Sequence, residues 1–170
     1  MTPVNRTLKL VALLLSPLLL AACATGPGFD TTGVDRELTP QRLSAVADVA
    51  EDEQVVWGGI IVASKNLEDR TRLEVLAYPL DRSQRPRTAQ SPQGRFIVEH
   101  PGYLETADYG PGRSLTVAGV VDEVVDGRIG EAAYRYPRVK PDDLYLWPQA
   151  SEVQRTSPRV HFGVGIILTN

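Results

Sequence analysis

The sequence predicts a mainly β protein, a small barrel of five to six strands preceded by one short helix. Three observations carry this. From Val55 to Trp147, apolar residues recur in short runs, several with the alternation of a strand, separated by stretches rich in Gly, Pro and Asp. Only the region from Thr39 to Ala50 has helical spacing. Glycines fall inside two of the runs, at Gly58-Gly59 and Gly119, where a small barrel needs sharp coiling.

The elements follow in order. Thr39-Pro40 reads as a helix start, with Thr at the N-cap and Pro at the first helical position. Leu43, Val46, Ala47 and Ala50 then predict about three turns, since 3.6 residues make one turn. Val55–Ala63 is a near-continuous apolar run, read as a strand that is buried on both faces or bends at its glycine pair. Thr71–Tyr78 is a second strand with Leu73, Val75 and Ala77 on one face, ended by Pro79. Asp81–Gln93 is a long polar loop, and Gly94–Glu99 a short third strand carrying Phe96 and Val98.

Ser114–Val125 is the fourth strand, with Leu115, Val117, Gly119 and Val121 sharing a face. Asp126-Gly127 predicts the hairpin turn into a return strand, Arg128–Tyr136, because glycine tolerates positive φ. Pro137 and Pro141 are expected to break the pairing, and Leu144–Trp147 to form a short closing strand. Strands of this number must bury one face, either by closing on themselves or by stacking as two sheets. The long loop region between the third and fourth strands suits an OB-like barrel; a β-sandwich is the alternative.

The first residues carry a different message. Arg6 and Lys9 form a short positive region, Leu10–Leu20 is apolar apart from Ser16-Pro17, and small residues follow. That is the layout of a secretory signal. The run is too short for a bilayer span, which needs roughly 20 apolar residues. Leu20-Ala21-Ala22-Cys23 resembles the lipobox of bacterial lipoprotein precursors. The resemblance implies a diacylglycerol on the Cys23 thiol, cleavage before Cys23 and N-acylation of the new terminus. Each buried methylene contributes about 0.8 kcal/mol, so two or three chains anchor where one barely holds. Ordinary cleavage after Ala24 is the alternative, since Ala22-Cys23-Ala24 also fits a small-residue site. Ala24, where lipoproteins kept in an inner membrane often carry Asp, points by analogy to the outer membrane.

The expected organisation is therefore a signal peptide at 1–22, a flexible tether at 23–38, a β domain at 39–148 and a tail at 149–170. In the tail Val160, Phe162, Val164, Ile166 and Leu168 alternate, predicting an extra strand, either packed on the domain or left as an exposed edge.

Charge and composition exclude several classes. Formal charge is −3, and removing a leader with two bases and no acid takes it to −5. With no run of bases, nucleic acid is not an expected partner. Cys23 is the single cysteine, which rules out an intrachain disulfide or a cysteine-based metal site. His100 and His161 are the two histidines, far apart, and no Gly-x-Ser-x-Gly elbow, phosphate loop or dinucleotide fingerprint is present. No enzyme, no metal and no soluble cofactor are expected. Glu51-Asp52-Glu53 and Asp142-Asp143 read as solvated turns.

Trp57, Tyr134, Tyr136 and Trp147 are core aromatics by default, and Arg82, Arg85 and Arg87 a solvated loop. Their sharper reading is a ligand or partner face: aromatics for a glycan or peptide, with Arg85 and its neighbours for anionic lipid headgroups or lipopolysaccharide phosphates.

Val56-Trp57-Gly58-Gly59-Ile60-Ile61, Leu73-Glu74-Val75 with Pro79-Leu80, Gly94-Arg95-Phe96, and Gly112-Arg113 before Leu115–Val121 form a set. Gly127–Glu131, Tyr134–Pro137 and Leu146-Trp147-Pro148 complete it. Together, across Thr39 to Pro148, they resemble the Slp family of outer-membrane lipoproteins, known for starvation-inducible members. The resemblance implies an outer-membrane protein facing the periplasm, linked to starvation or envelope stress, with no catalytic activity and so no catalytic residues to carry over. Its contacts would be with the membrane through the lipid, and with envelope proteins, lipopolysaccharide or peptidoglycan. A periplasmic ligand-binding module is the alternative, and oligomeric state is not legible.

Overall fold

A computed structural model describes residues 26–46 and 53–149. Helix α1 (Pro40–Ala45) precedes strands β1 (Glu53–Asn66), β2 (Arg70–Tyr78), β3 (Arg95–Pro101), β4 (Ser114–Ile129) and β5 (Ala132–Leu146). The strands close into a barrel in the order β1-β2-β3-β5-β4, with β4 returning to β1. All pairs are antiparallel except β3 with β5, which meet in parallel at Ile97 opposite Arg138 and Val98 opposite Val139. This is the OB-like arrangement rather than the sandwich.

The core follows from strand alternation. Leu73, Val75 and Ala77 of β2, Phe96 and Val98 of β3, and Leu115, Val117 and Val121 of β4 point inward and are buried. Trp57 packs edge-to-face on Phe96, with ring centroids 5.3 Å apart. The outer wall is charged. Arg72 pairs with Glu99, Arg95 with Glu74, and Arg138 with Asp122 and Glu123. Gly59 lets β1 bend close to β2: a Cβ there would lie 2.0 Å from the Leu76 carbonyl oxygen.

Three local expectations are corrected. Thr39 caps α1 as expected, accepting from the Arg42 N–H, but the helix has six residues rather than three turns. Val46 already leaves in extended conformation, and the Arg135 guanidinium donates to its carbonyl. Residues 47–52 lie outside the described residues.

Asp126-Gly127 does not form the turn. Asp126 pairs with Arg135 and Gly127 with Tyr134, and the chain reverses at Gly130-Glu131, between Ile129 and Ala132. Gly130 takes φ +59°, the demand of a type II′ turn at its first central position. Gly127 instead makes room for a ring, since a Cβ there would meet Tyr136 Cε2 at 2.8 Å.

The prolines do not break β5, and Leu144–Leu146 is its continuation rather than a separate strand. Pro137 lies one residue before β3 begins to pair with β5, where no N–H is needed on that side. Pro141 sits at a bulge in which Asp142 is the extra residue, between the pairs Ala118–Asp143 and Gly119–Pro141. Gly119 accommodates that bulge, because a Cβ would lie 2.3 Å from the Lys140 carbonyl oxygen.

Candidate functional site

Cys23 and its lipobox, Leu20, Ala21 and Ala22, lie outside the described residues, as do His161 and the expected tail strand. The description starts three residues after Cys23, at Gly26, and the stretch expected to tether the domain there lies against the barrel. Gly26 packs on the backbone of Ser83, so closely that a Cβ would sit 2.1 Å from the Ser83 carbonyl oxygen. Phe29 is held by both ends of the Gln84 amide: Gln84 Nε2 donates to the Phe29 carbonyl at 2.7 Å, and the Phe29 N–H donates to Gln84 Oε1 at 2.9 Å.

The turn presenting Gln84 is built locally. Asp81 Oδ1 accepts from the N–H groups of Ser83 and Arg85, which holds its carboxyl below the usual range, chiefly through the Arg85 N–H. Gln84 adopts φ +66°, a region that side-chain-bearing residues seldom enter. From Gln84 the network runs inward. Its carbonyl accepts from Thr116 Oγ1 at 2.7 Å, which in turn accepts from Trp147 Nε1 at 2.9 Å. The Arg85 guanidinium lies 5.0 Å over the Trp147 ring. One chain of contacts thus joins the N-terminal strap, the β2–β3 loop and the end of β5.

Beside this network is a cleft of about 390 Å³ between the strap, the first part of β1 and the β2–β3 loop. Trp57, Leu38, Val34 and Leu80 supply apolar wall, and Arg82 and Asp35 supply charge. Trp57 is fixed there, its Nε1 donating to the Leu38 carbonyl at 2.9 Å.

The predicted aromatic residues therefore fall into three places. Trp57 belongs to the core and the cleft wall. Trp147 and Arg85 belong to the strap network, with Tyr145 edge-on to Trp147. Tyr134 and Tyr136 do share a strand face, with ring centroids 4.7 Å apart, but on the β4–β5 hairpin. Tyr134 Oη accepts from the Arg95 N–H at 2.8 Å and from Ser44 Oγ at 3.2 Å, tying α1 to the hairpin. Tyr136 Oη lies 3.1 Å from both Glu74 Oε1 and the Arg128 carbonyl. No ring contact joins the three places among the described residues.

Burial, reinforced by the Glu74 carboxylate, pushes the Tyr136 hydroxyl up to about 12 from an ordinary 10.0. A phenol raised on folding favours the folded state fully below pH 10.0, and the benefit is lost as pH climbs towards 12. Following tyrosinate absorbance, one tyrosine is expected to ionise late, and Tyr136→Phe to remove that last step. An unchanged titration in the variant would contradict the assignment.

His100 lines a smaller recess with Asp142 and Asp143. Among the described residues, no group of three or more His, Cys, Asp and Glu side chains is placed to hold a metal ion. None of Gly26, Phe29, Gln84 and Thr116 stood out in the sequence. A glutamine with positive φ and a threonine bridging two loops leave no local pattern to find.

Comparison with known proteins places this architecture. A lipoprotein of Escherichia coli K12 described as "Uncharacterized lipoprotein YeaY" is 29% identical over 140 residues, 80% of this chain and 70% of its own. An "Uncharacterized protein" of Haemophilus influenzae is 34% identical over 113 residues, 66% of this chain and 58% of its own. No solved structure matches. The model of the outer membrane lipoprotein Slp family matches residues 20–165, which takes in both Leu20–Cys23 and the barrel, and the chain belongs to that family.

Proposed function

We propose that this protein is a non-enzymatic accessory of the bacterial envelope, held at the outer membrane by acyl chains on Cys23 and acting by contact. In this reading 1–22 is a signal peptide, Cys23 carries the diacylglycerol and an N-acyl chain, and the barrel faces the periplasm, where its role is structural or stress-related. The observation that carries it is the family match, which begins at residue 20 and so covers Cys23 together with the barrel. Cys23→Ser is expected to abolish palmitate labelling and to release the protein from outer-membrane fractions. Labelling that persists in the variant, or wild-type protein found in the inner membrane, would overturn the reading.

The cleft favours a second reading, a ligand-binding module. Its volume, about 390 Å³, is that of a small-molecule site, and its wall mixes apolar side chains with a few polar ones. The class of ligand would be a glycan, lipid headgroup or peptide. Cell-wall fragments that bind there should shift tryptophan emission, and Trp57→Phe should remove most of the shift. A response independent of Trp57 would argue against this cleft.

A further inference from the structure

We infer that the end of the barrel carrying the Asp81–Arg85 turn faces the membrane and rests on anionic phospholipid headgroups, so that the domain is oriented rather than swinging on its anchor. This rests on the lipid-anchor reading of Cys23 and adds the face that is presented.

The first argument is chain length. Three Cα–Cα steps separate Cys23 from Gly26, a span of about 11 Å at most when fully extended. Gly26 is packed on Ser83, and Phe29 is clamped by Gln84. An acylated cysteine therefore brings the Ser83 region to the bilayer surface. The far end of β2 lies eight residues away along a nine-residue strand, roughly 26 Å of strand length, and so on the side away from the anchor.

The second argument is charge. Three guanidiniums on the barrel wall are paired with carboxylates, Arg72 with Glu99, Arg95 with Glu74 and Arg138 with Asp122. Arg82, Arg85 and Arg87, beside the docking point of the strap, are exposed, and none forms an ion pair among the described residues. Acids are present at this end too: Asp30, Asp35 and Asp81 accept N–H groups of their own turns and keep their charge, and Glu37 pairs with Arg42. Three exposed guanidiniums clustered on one loop, placed where the anchor holds them, suit the phosphates of an anionic lipid surface.

The test uses the full lipidated protein in vesicles of phosphatidylcholine with or without phosphatidylglycerol. Acylation blocks Cys23, so single nitroxide labels go on Arg82→Cys, Thr88→Cys and, at the β1–β2 turn, Glu68→Cys. All three positions are exposed. Phosphatidylglycerol should shield the labels at 82 and 88 from a water-soluble nickel chelate and leave the label at 68 open. Salt near 1 M, where the Debye length is about 3 Å, should undo the shielding. Gln84→Asn, which keeps a residue tolerant of positive φ but cannot span Phe29, should weaken shielding without changing vesicle flotation. Protein that floats with all three labels equally open in both lipids would overturn the orientation and spare the anchor. Protein that fails to float would overturn the anchor reading and this inference with it.

Discussion

Phe96→Ala is expected to lower the unfolding free energy by about 3–5 kcal/mol, the range for removing a buried aromatic ring. Phe96 is fully buried, opposite Val75 in the β2–β3 ladder, and edge-on to Trp57. A closed barrel has few ways to fill the void, because every strand is held by two neighbours. A domain typically has only about 5–15 kcal/mol in total, so the variant should lie near the limit of folding. Urea unfolding followed by tryptophan emission measures the loss, with Trp57 reporting directly on the cavity. A loss under about 1 kcal/mol would mean that the barrel collapses around the gap and that its core is less tightly specified than the packing indicates.

Gly59→Ala is expected to cost about 3 kcal/mol, at the upper end of overpacking effects. The added methyl would meet backbone, Leu76 oxygen at 2.0 Å and Leu76 carbonyl carbon at 2.8 Å, and also Cγ1 of the fully buried Val75 at 2.8 Å. Relief requires β1 to move off β2, which disturbs the ladder from Gly58–Tyr78 to Ile61–Val75. Gly102→Ala is the comparison. Gly102 has φ +77° but nothing within 4 Å of the added Cβ, so only the left-handed backbone is penalised, by roughly 1–2 kcal/mol. Equal losses in the two variants would show that β1 yields at Gly59.

Asp126-Gly127, paired within the β4–β5 ladder instead of turning, shows why turn residues alone do not set a hairpin. Two glycine dipeptides lie close together, and each permits a reversal. A turn at the first would set Val121 opposite Ala132, whereas the structure sets Val121 opposite Val139, both fully buried. Register is chosen by burial summed over the whole strand pair, and a turn only has to allow it. Pro137 and Pro141 lie within β5 for a related reason. A proline ends a strand that needs its N–H, and whether β5 needs it depends on where β3 starts and where a bulge falls.

What the sequence determined by itself is what rests on covalent order and on local periodicity. The resemblance of Leu20–Cys23 to a lipobox needs only its own residues in sequence, and the inward faces of β2 and β4 need only the alternation that a strand imposes. The cap at Thr39 and the family motifs are equally local. Tertiary structure alone decided which end of the barrel receives the N-terminal strap. Phe29 and Gln84 are 55 residues apart, and Thr116 and Gln84 are 32 apart. Polar side chains such as these have no periodic signature, because their partners are chosen by closure of the barrel and not by their neighbours in the chain.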